Sequence, residues 1–257
     1  GVAQAKGEIY EALAVSDTAV INIDDNFSSQ YLASVKAIIL KVSLHDTKAD
    51  CYASNIQSAQ NSISFELNLR EEKIGVEINA LGNHSVRNAL MAAAMASAVG
   101  ASLQQIQKGL KNFSPVGGRM SRHAGIKGAV IIDDSYNANP GSVRAATDVL
   151  ASCKGQRVLV LGDLAELGEG EKELHASLGR YAREKGVEHF FTLGVLSKYA
   201  SDAFGVQEGL HHFNEKESLI AHLKNIATQN TTILIKGSRS AKMDLVVSAL
   251  CSTGDTH

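Results

Sequence analysis

The sequence predicts an α/β protein whose second half is a doubly wound, mostly parallel sheet. From Gly117 onward, apolar runs alternate with helical stretches: Ala129–Ile132, Val158–Leu161, His189–Leu193 and Thr231–Ile235 against Ser142–Ala151, Lys172–Lys185 and Glu215–Thr228. Continuous apolar strands are buried on both faces, and the helices between them supply the cover. A second observation is that polar, charged or glycine-containing loops follow these strands, which is where open parallel sheets carry their ligands.

The first half has a different rhythm. Gly1 to Leu13 reads as an amphipathic helix carrying Lys6, Glu8 and Tyr10, and it opens without a start signal, as if cut from a longer chain. Short β-rich runs follow at Thr18–Ile23, Ala37–Val42, Ser62–Asn68 and Lys73–Ile78. Ile63, Phe65 and Leu67 alternate with polar residues, the period of a half-buried strand. Asn83–Val99, dense in alanine, and Leu103–Asn112, after Gly100, read as helices. Pro115-Val116-Gly117-Gly118-Arg119 is the natural joint, giving expected domains of 1–118 and 119–257.

Composition excludes several classes of function. With 25 basic and 27 acidic residues the formal net charge is -2, which lacks the basic excess of an electrostatic nucleic-acid binder. No apolar run is long enough to insert into a membrane and no signal segment opens the chain. Cys51, Cys153 and Cys251 are odd in number and far apart, so they read as free thiols of a reducing compartment rather than as a metal site. A cytoplasmic monomer is expected.

Four strand-end or helix-start segments carry candidate chemistry. Asp133-Asp134-Ser135-Tyr136-Asn137-Ala138-Asn139-Pro140 could be an Asx-rich turn opening a helix. Two adjacent carboxylates ending a buried strand are nevertheless costly without a cation or hydroxyl partner, so a ligand's ribose hydroxyls or a metal would suit them. Gly162-Asp163-Leu164-Ala165-Glu166-Leu167-Gly168 lacks G-x-G-x-x-G, and its acids would repel a pyrophosphate, so a dinucleotide reading is weak. Lys236-Gly237-Ser238-Arg239 suits an anionic ligand, although alone it reads more readily as a solvated basic turn. His84, in Gly82-Asn83-His84-Ser85, is by default a structural histidine; Asn88 lies one turn later. Arg119 is either an incidental linker charge or a cation that reaches across a cleft.

Taken together these segments resemble the ATP-dependent Mur ligases of bacterial wall synthesis. Gly82–Asn88 followed by Ala89-Leu90 is similar to the family's Gly-x-His-Asn-x-x-Asn-Ala-Leu segment, and Pro115–Met120 to its Pro-x-x-Gly-Arg-Met joint. IDDSYNANP and GDLAELG, with His175 downstream, are similar to motifs of the D-alanyl-D-alanine-adding branch. Ala3–Tyr10 looks like the segment whose lysine is carbamylated, and KGSR completes a set that keeps the family's order.

The resemblance implies part of a central ATPase domain followed by a Rossmann-like C-terminal domain. It implies ATP and Mg2+ as cofactors, with a UDP-MurNAc-tripeptide and D-alanyl-D-alanine joined through an acyl phosphate. Lys6 would be catalytic as a carbamate supporting the magnesium ion. His84 and Asn88 would lie against adenine, and Arg119, Asp134 and Asn137 near the phosphates and ribose. Asp163, Glu166, Lys236, Ser238 and Arg239 would face the substrate. Alternatives are another Mur-type or folylpolyglutamate synthetase-like ligase, or a non-catalytic binding module. Two departures stand out: Ser85 occupies a position commonly Asn in the family, and no G-x-x-x-x-G-K-[ST] occurs. The backbone N–H nest of that loop cradles ATP phosphates, so the chain reads as an inactive fragment of the enzyme. The 257-residue chain is therefore expected to bind ATP weakly; micromolar affinity by calorimetry would overturn that expectation.

Overall fold

The computed structural model describes residues 2–59, 62–206 and 209–251. Gly1, at the head of the expected first helix, and residues 252–257, at the end of the expected second domain, lie outside them. The chain divides into two compact units, Gly1–Ser114 and Pro115–His257.

In chain order the first unit contains α1 (Val2–Glu11), β1 (Thr18–Asn22), α2 (Ser28–Ser34), β2 (Ile38–Ser43), β3 (Cys51–Ser58), β4 (Ile63–Leu69), β5 (Glu72–Ile78), α3 (Asn83–Ala98) and α4 (Leu103–Lys111). Its sheet follows sequence order. β1, β2 and β3 run parallel, and β3, β4 and β5 form an antiparallel meander. α3 buries Val86, Ala89, Leu90, Ala93 and Ala94, one stripe at helical spacing, and it packs over β1 to β4. Its alanines allow a close approach to the sheet. α4 starts at a capping box in which the Ser102 hydroxyl and the Gln105 side chain satisfy each other's backbone N–H groups.

β3 is absent from the sequence-based expectation for a physical reason. Asn55 adopts a left-handed conformation, and the pairing with β4 shifts register between Ser54 and Gln57. A bulge breaks the alternation that identifies a strand. α2 was also unforeseen; it is a seven-residue helix with no side-chain cap.

The second unit contains β6 (Ser121–Ala124), β7 (Val130–Asp134), α5 (Pro140–Ala151), β8 (Gln156–Gly162), α6 (Glu171–Glu184), β9 (His189–Leu193), α7 (Ser197–Phe204), β10 (Leu210–Phe213), α8 (Lys216–Ile226), β11 (Thr231–Lys236) and α9 (Asp244–Leu250). Its sheet order is β10-β9-β8-β11-β7-β6, parallel except for β6. The four expected strands are its centre. β6 and β10 were not expected, because four-residue edge strands such as Ser-Arg-His-Ala carry no apolar run. α7 and α9 were also missed.

β11 is the last strand in sequence but lies between β7 and β8, hydrogen-bonded to both. That insertion sets three carboxyl ends side by side, and with them three of the polar segments. The site's position follows from this topology. α5 begins where the sequence suggests: Asn139 caps it in a reciprocal box with Ser142, and Pro140 occupies the first turn.

Helices α6 and α7 pack so closely that Gly179 of α6 lies against the Ala200 carbonyl, with no room for a Cβ. Backbone cannot yield as a side-chain tip can. Gly179→Ala is expected to destabilise the second unit by about 1–3 kcal/mol, as overpacking does. Chemical denaturation of the variant checks this.

Candidate functional site

In the second unit the site is built on the last residues of β7, β8 and β11. Asp133 and Asp134 belong to β7 itself rather than to the following loop, paired in register with Ile235 and Lys236. Lys236 and Asp134 are therefore cross-strand neighbours. They form a buried ion pair, with Lys236 Nζ donating to Asp134 Oδ2 at 2.5 Å. The same ammonium donates to the carbonyls of Asn137 at 2.9 Å and Asp134 at 3.4 Å. An ammonium has three N–H groups, and here all three are used within the protein.

Asp134 Oδ1 accepts the Met120 amide at 3.2 Å. Burial pushes the Asp134 carboxyl above its ordinary range, while Lys236 and the Met120 amide pull it part of the way back. Its neighbour Asp133 is also buried and serves the backbone. One oxygen accepts Gly118 N–H at 3.0 Å; the other accepts the amide and hydroxyl of Ser135 at 3.0 and 2.6 Å. The paired acids thus obtain partners as expected, but those partners are internal.

Asp163, at the end of β8, ties three loops together. Its carboxylate accepts the amides of Val195 and Ser197 at 2.9 and 2.7 Å, and its carbonyl accepts the Ser238 amide and hydroxyl at 2.9 and 2.7 Å. Gly194 lies so near the Asp163 carboxylate that a side chain would collide with it. His175, fully buried, accepts the Leu164 amide through Nε2 at 3.0 Å and donates from Nδ1 to the Glu171 carbonyl at 2.7 Å. That geometry requires the neutral ring and fastens the Gly162–Gly168 loop onto α6.

What remains exposed at this edge is Arg119, Tyr136, Asn137, Glu166 and Arg239. The Arg119 guanidinium lies 4.3 Å from the centre of the Tyr136 ring, and that of Arg239 lies 5.9 Å from it. Among the described residues neither arginine forms an ion pair. Glu166 holds a left-handed backbone at φ 61°. Of the expected site residues here, Arg119, Arg239, Asn137 and Glu166 are accessible, whereas Lys236 and Ser238 are interior fasteners. Tyr136 was missed as a contributor. An aromatic residue inside an otherwise polar strand-end loop was the available signal for Tyr136.

In the first unit, Lys6 lines a cavity of about 700 Å³ together with Tyr10, Asn22, Asp25, Gln30 and Tyr31. α1, the β1 end and α2 form its walls, and Met91 of α3 contributes. Tyr10 donates to the Val20 carbonyl at 3.3 Å; burial, then the neighbouring Tyr31 and Asp25, raise its hydroxyl pKa and keep it protonated. His84 and Asn88 occupy the first turns of α3, with Asn88 exposed and His84 half-buried. The Ser85 hydroxyl turns inward to the Leu81 carbonyl at 2.7 Å, closing the first turn.

Residues 1–96 match the Mur ligase middle domain, and residues 118–239 match the Mur ligase glutamate ligase domain. The UDP-N-acetylmuramoyl-tripeptide--D-alanyl-D-alanine ligase of Escherichia coli (strain K12) is 38% identical over 257 residues, which is 99% of this chain and 56% of that protein. The ligase of that name from Bacillus subtilis (strain 168) is 29% identical, over 97% of this chain and 54% of its own. A crystal structure of MurF from Acinetobacter baumannii superposes with a TM-score of 0.88 at 30% identity, covering 96% of this chain and 54% of that one. The chain spans about half the length of the curated relatives it matches.

The buried pair makes a testable claim about stability. Lys236→Met leaves Asp134 buried without its cation and is expected to cost about 3 kcal/mol, the low end for a broken buried pair because Asp134 keeps some solvent access. Without Lys236 the Asp134 carboxyl rises further. A carboxyl whose folded pKa exceeds its unfolded value stabilises the fold below the unfolded pKa and loses that contribution as pH rises through the folded pKa. The variant's deficit should therefore be largest at neutral pH and shrink toward acid, measured by urea unfolding across that range.

Proposed function

Because this chain belongs to the Mur ligase family, we propose that it supplies the central and C-terminal parts of an ATP-dependent amide ligase. The enzyme would join D-alanyl-D-alanine to a UDP-MurNAc-tripeptide. The observation that carries the chemistry is the pair of exposed, carboxylate-free guanidinium groups at the strand ends. The choice of acceptor rests on the name of the Escherichia coli relative, which aligns along 99% of the chain.

The reaction transfers the γ-phosphoryl group of ATP to the tripeptide's terminal carboxylate, releasing ADP. The amine of D-alanyl-D-alanine then attacks the acyl phosphate, and phosphate leaves as the amide forms. Such transfers need cations and positioning around a moving anion more than covalent help. Arg119 would neutralise phosphate charge. Asp134 and Asn137 would lie on the ribose side, with Asp134 retaining lone pairs beyond those given to Lys236 and Met120. His84 and Asn88 would face adenine. On the substrate side, Arg239 and Glu166 are the accessible members, while Asp163, Lys236 and Ser238 hold their loops in place.

Lys6 is proposed to react with carbon dioxide to form a carbamate, which replaces an ammonium with an anion. With Asp25 it would give one cavity two negative groups, a setting that favours a divalent cation. Among the described residues no group of three His, Cys, Asp or Glu is placed to hold a metal ion. Magnesium would thus take only part of its shell from them. No helix among the described residues is long and apolar enough to cross a membrane, and a cytoplasmic monomer is proposed.

Two experiments test the reading on the polypeptide extended to the relatives' full length. With ATP, UDP-MurNAc-tripeptide and D-alanyl-D-alanine, ADP and the ligated product should form in equal amounts. Use of a single amino acid instead would assign another Mur-type ligase, and no turnover with any acceptor would favour a binding module. In that enzyme Arg119→Ala should lower kcat/KM by about a hundredfold or more, as loss of a charge-stabilising donor does. Lys6→Ala should depress turnover by orders of magnitude with the fold intact, and Lys6→Glu should recover part of it. A normal rate for Lys6→Ala would make Lys6 an ordinary surface residue.

A further inference from the structure

We propose that Tyr136 is a positioning residue whose ring holds Arg119 and Arg239 together as one oxyanion clamp. This rests on the reading above, in which the two arginines meet phosphate and carboxylate groups. The two guanidinium groups come from segments far apart in sequence, the joint before β6 and the turn after β11. Both lie within 6 Å of a single ring, at 4.3 and 5.9 Å from its centre. Like charges brought to one place repel, and among the described residues neither is relieved by an ion pair with a carboxylate. The electron-rich Tyr136 ring is what both share.

The ring is itself held firmly. Tyr136 N–H donates to the Gly118 carbonyl at 3.0 Å, and Gly118 N–H donates to buried Asp133 at 3.0 Å. Gly118 has φ 78°, and a side chain there would press on the Tyr136 backbone and Cβ. A glycine at that point lets the joint carrying Arg119 lie directly against the residue that carries the ring. The Arg239 side is fixed by Ser238, whose amide and hydroxyl are both bound to the Asp163 carbonyl. Two supported backbone segments therefore bring two guanidinium groups to one ring, and Tyr136 is 45% exposed. An anion arriving there would meet both guanidinium groups. The ligand class is a phosphoryl or acyl phosphate group, whose oxygens match the guanidinium fork.

Arginine Nε–Hε NMR correlations of the 257-residue chain test this, with inorganic pyrophosphate as the probe. Ring current should displace the Arg119 and Arg239 signals upfield, and pyrophosphate should move both. Tyr136→Leu should remove the displacement and weaken pyrophosphate binding roughly fivefold or more, given two exposed cation–ring contacts. Tyr136→Phe, which keeps the ring, should restore both. Arg119→Ala and Arg239→Ala separate the inference from the reading beneath it. If neither weakens pyrophosphate binding, the arginines are not anion ligands and that reading fails. If both weaken it while Tyr136→Leu does not, the arginines stand and the positioning role is overturned. Should Tyr136→Leu unfold, absence of the upfield displacement in the unsubstituted chain overturns the inference by itself.

Discussion

Lysine 236 and Asp134 face each other because β11 and β7 pair in that register, and much of the candidate site hangs on their ion pair. Removing an ammonium and a carboxylate from water is expensive, and mutual attraction alone seldom compensates for it. Here the ammonium also binds two backbone carbonyls and the carboxylate also binds an amide. Those extra bonds reach the Asn137 loop on one side and Met120 on the other. The pair thereby fixes where the joint leaves the sheet and where the strand-end loop turns. Lysine suits this interior task, since its compact head can satisfy three acceptors at once. Arginine, permanently charged and forked, is kept for the surface.

The same economy of charge governs the rest of this edge. Asp133, Asp163 and His175 are polar residues in strand-end or adjoining segments, the usual signature of a ligand site. Each turns out to bind backbone groups of a neighbouring loop. Loops without regular hydrogen bonding must find partners for their N–H groups, and a buried carboxylate accepting two amides serves several at once. A polar motif at a strand end thus has two layers, an inner one that shapes the loop and an outer one that meets solvent. The outer layer, Arg119, Tyr136, Asn137, Glu166 and Arg239, is the exposed part of this edge.

That distinction marks what was legible in the sequence. Hydrophobic period located the central strands and most helices, because burial on two faces or one leaves an unambiguous pattern. It was silent on β6 and β10, whose edge positions need few apolar residues, and on β3, whose bulge breaks the alternation. Strand order was also hidden. Nothing local to Thr231–Lys236 says that the last strand inserts between β7 and β8, yet this insertion is what brings KGSR beside IDDSYNANP. For the site, sequence reasoning found the right segments and the right electrostatic problem, two acids needing partners. It could not tell that Lys236, itself a candidate ligand residue, was the partner.

The whole chain is nearly neutral, and within the second unit Asp134 pairs with Lys236 while Asp133 and Asp163 accept backbone amides. Those acids are engaged within the fold, and among the described residues the exposed guanidinium groups of Arg119 and Arg239 form no ion pair. Had Asp134 projected outward, it would have paired with an arginine and cancelled the attraction for an anion. The inward turn of the acids and the outward turn of the arginines are therefore one arrangement. At this edge Asp133, Asp134 and Asp163 serve the scaffold while Arg119 and Arg239 stay exposed, and in the first unit a carbamate on Lys6 would set an anion beside Asp25.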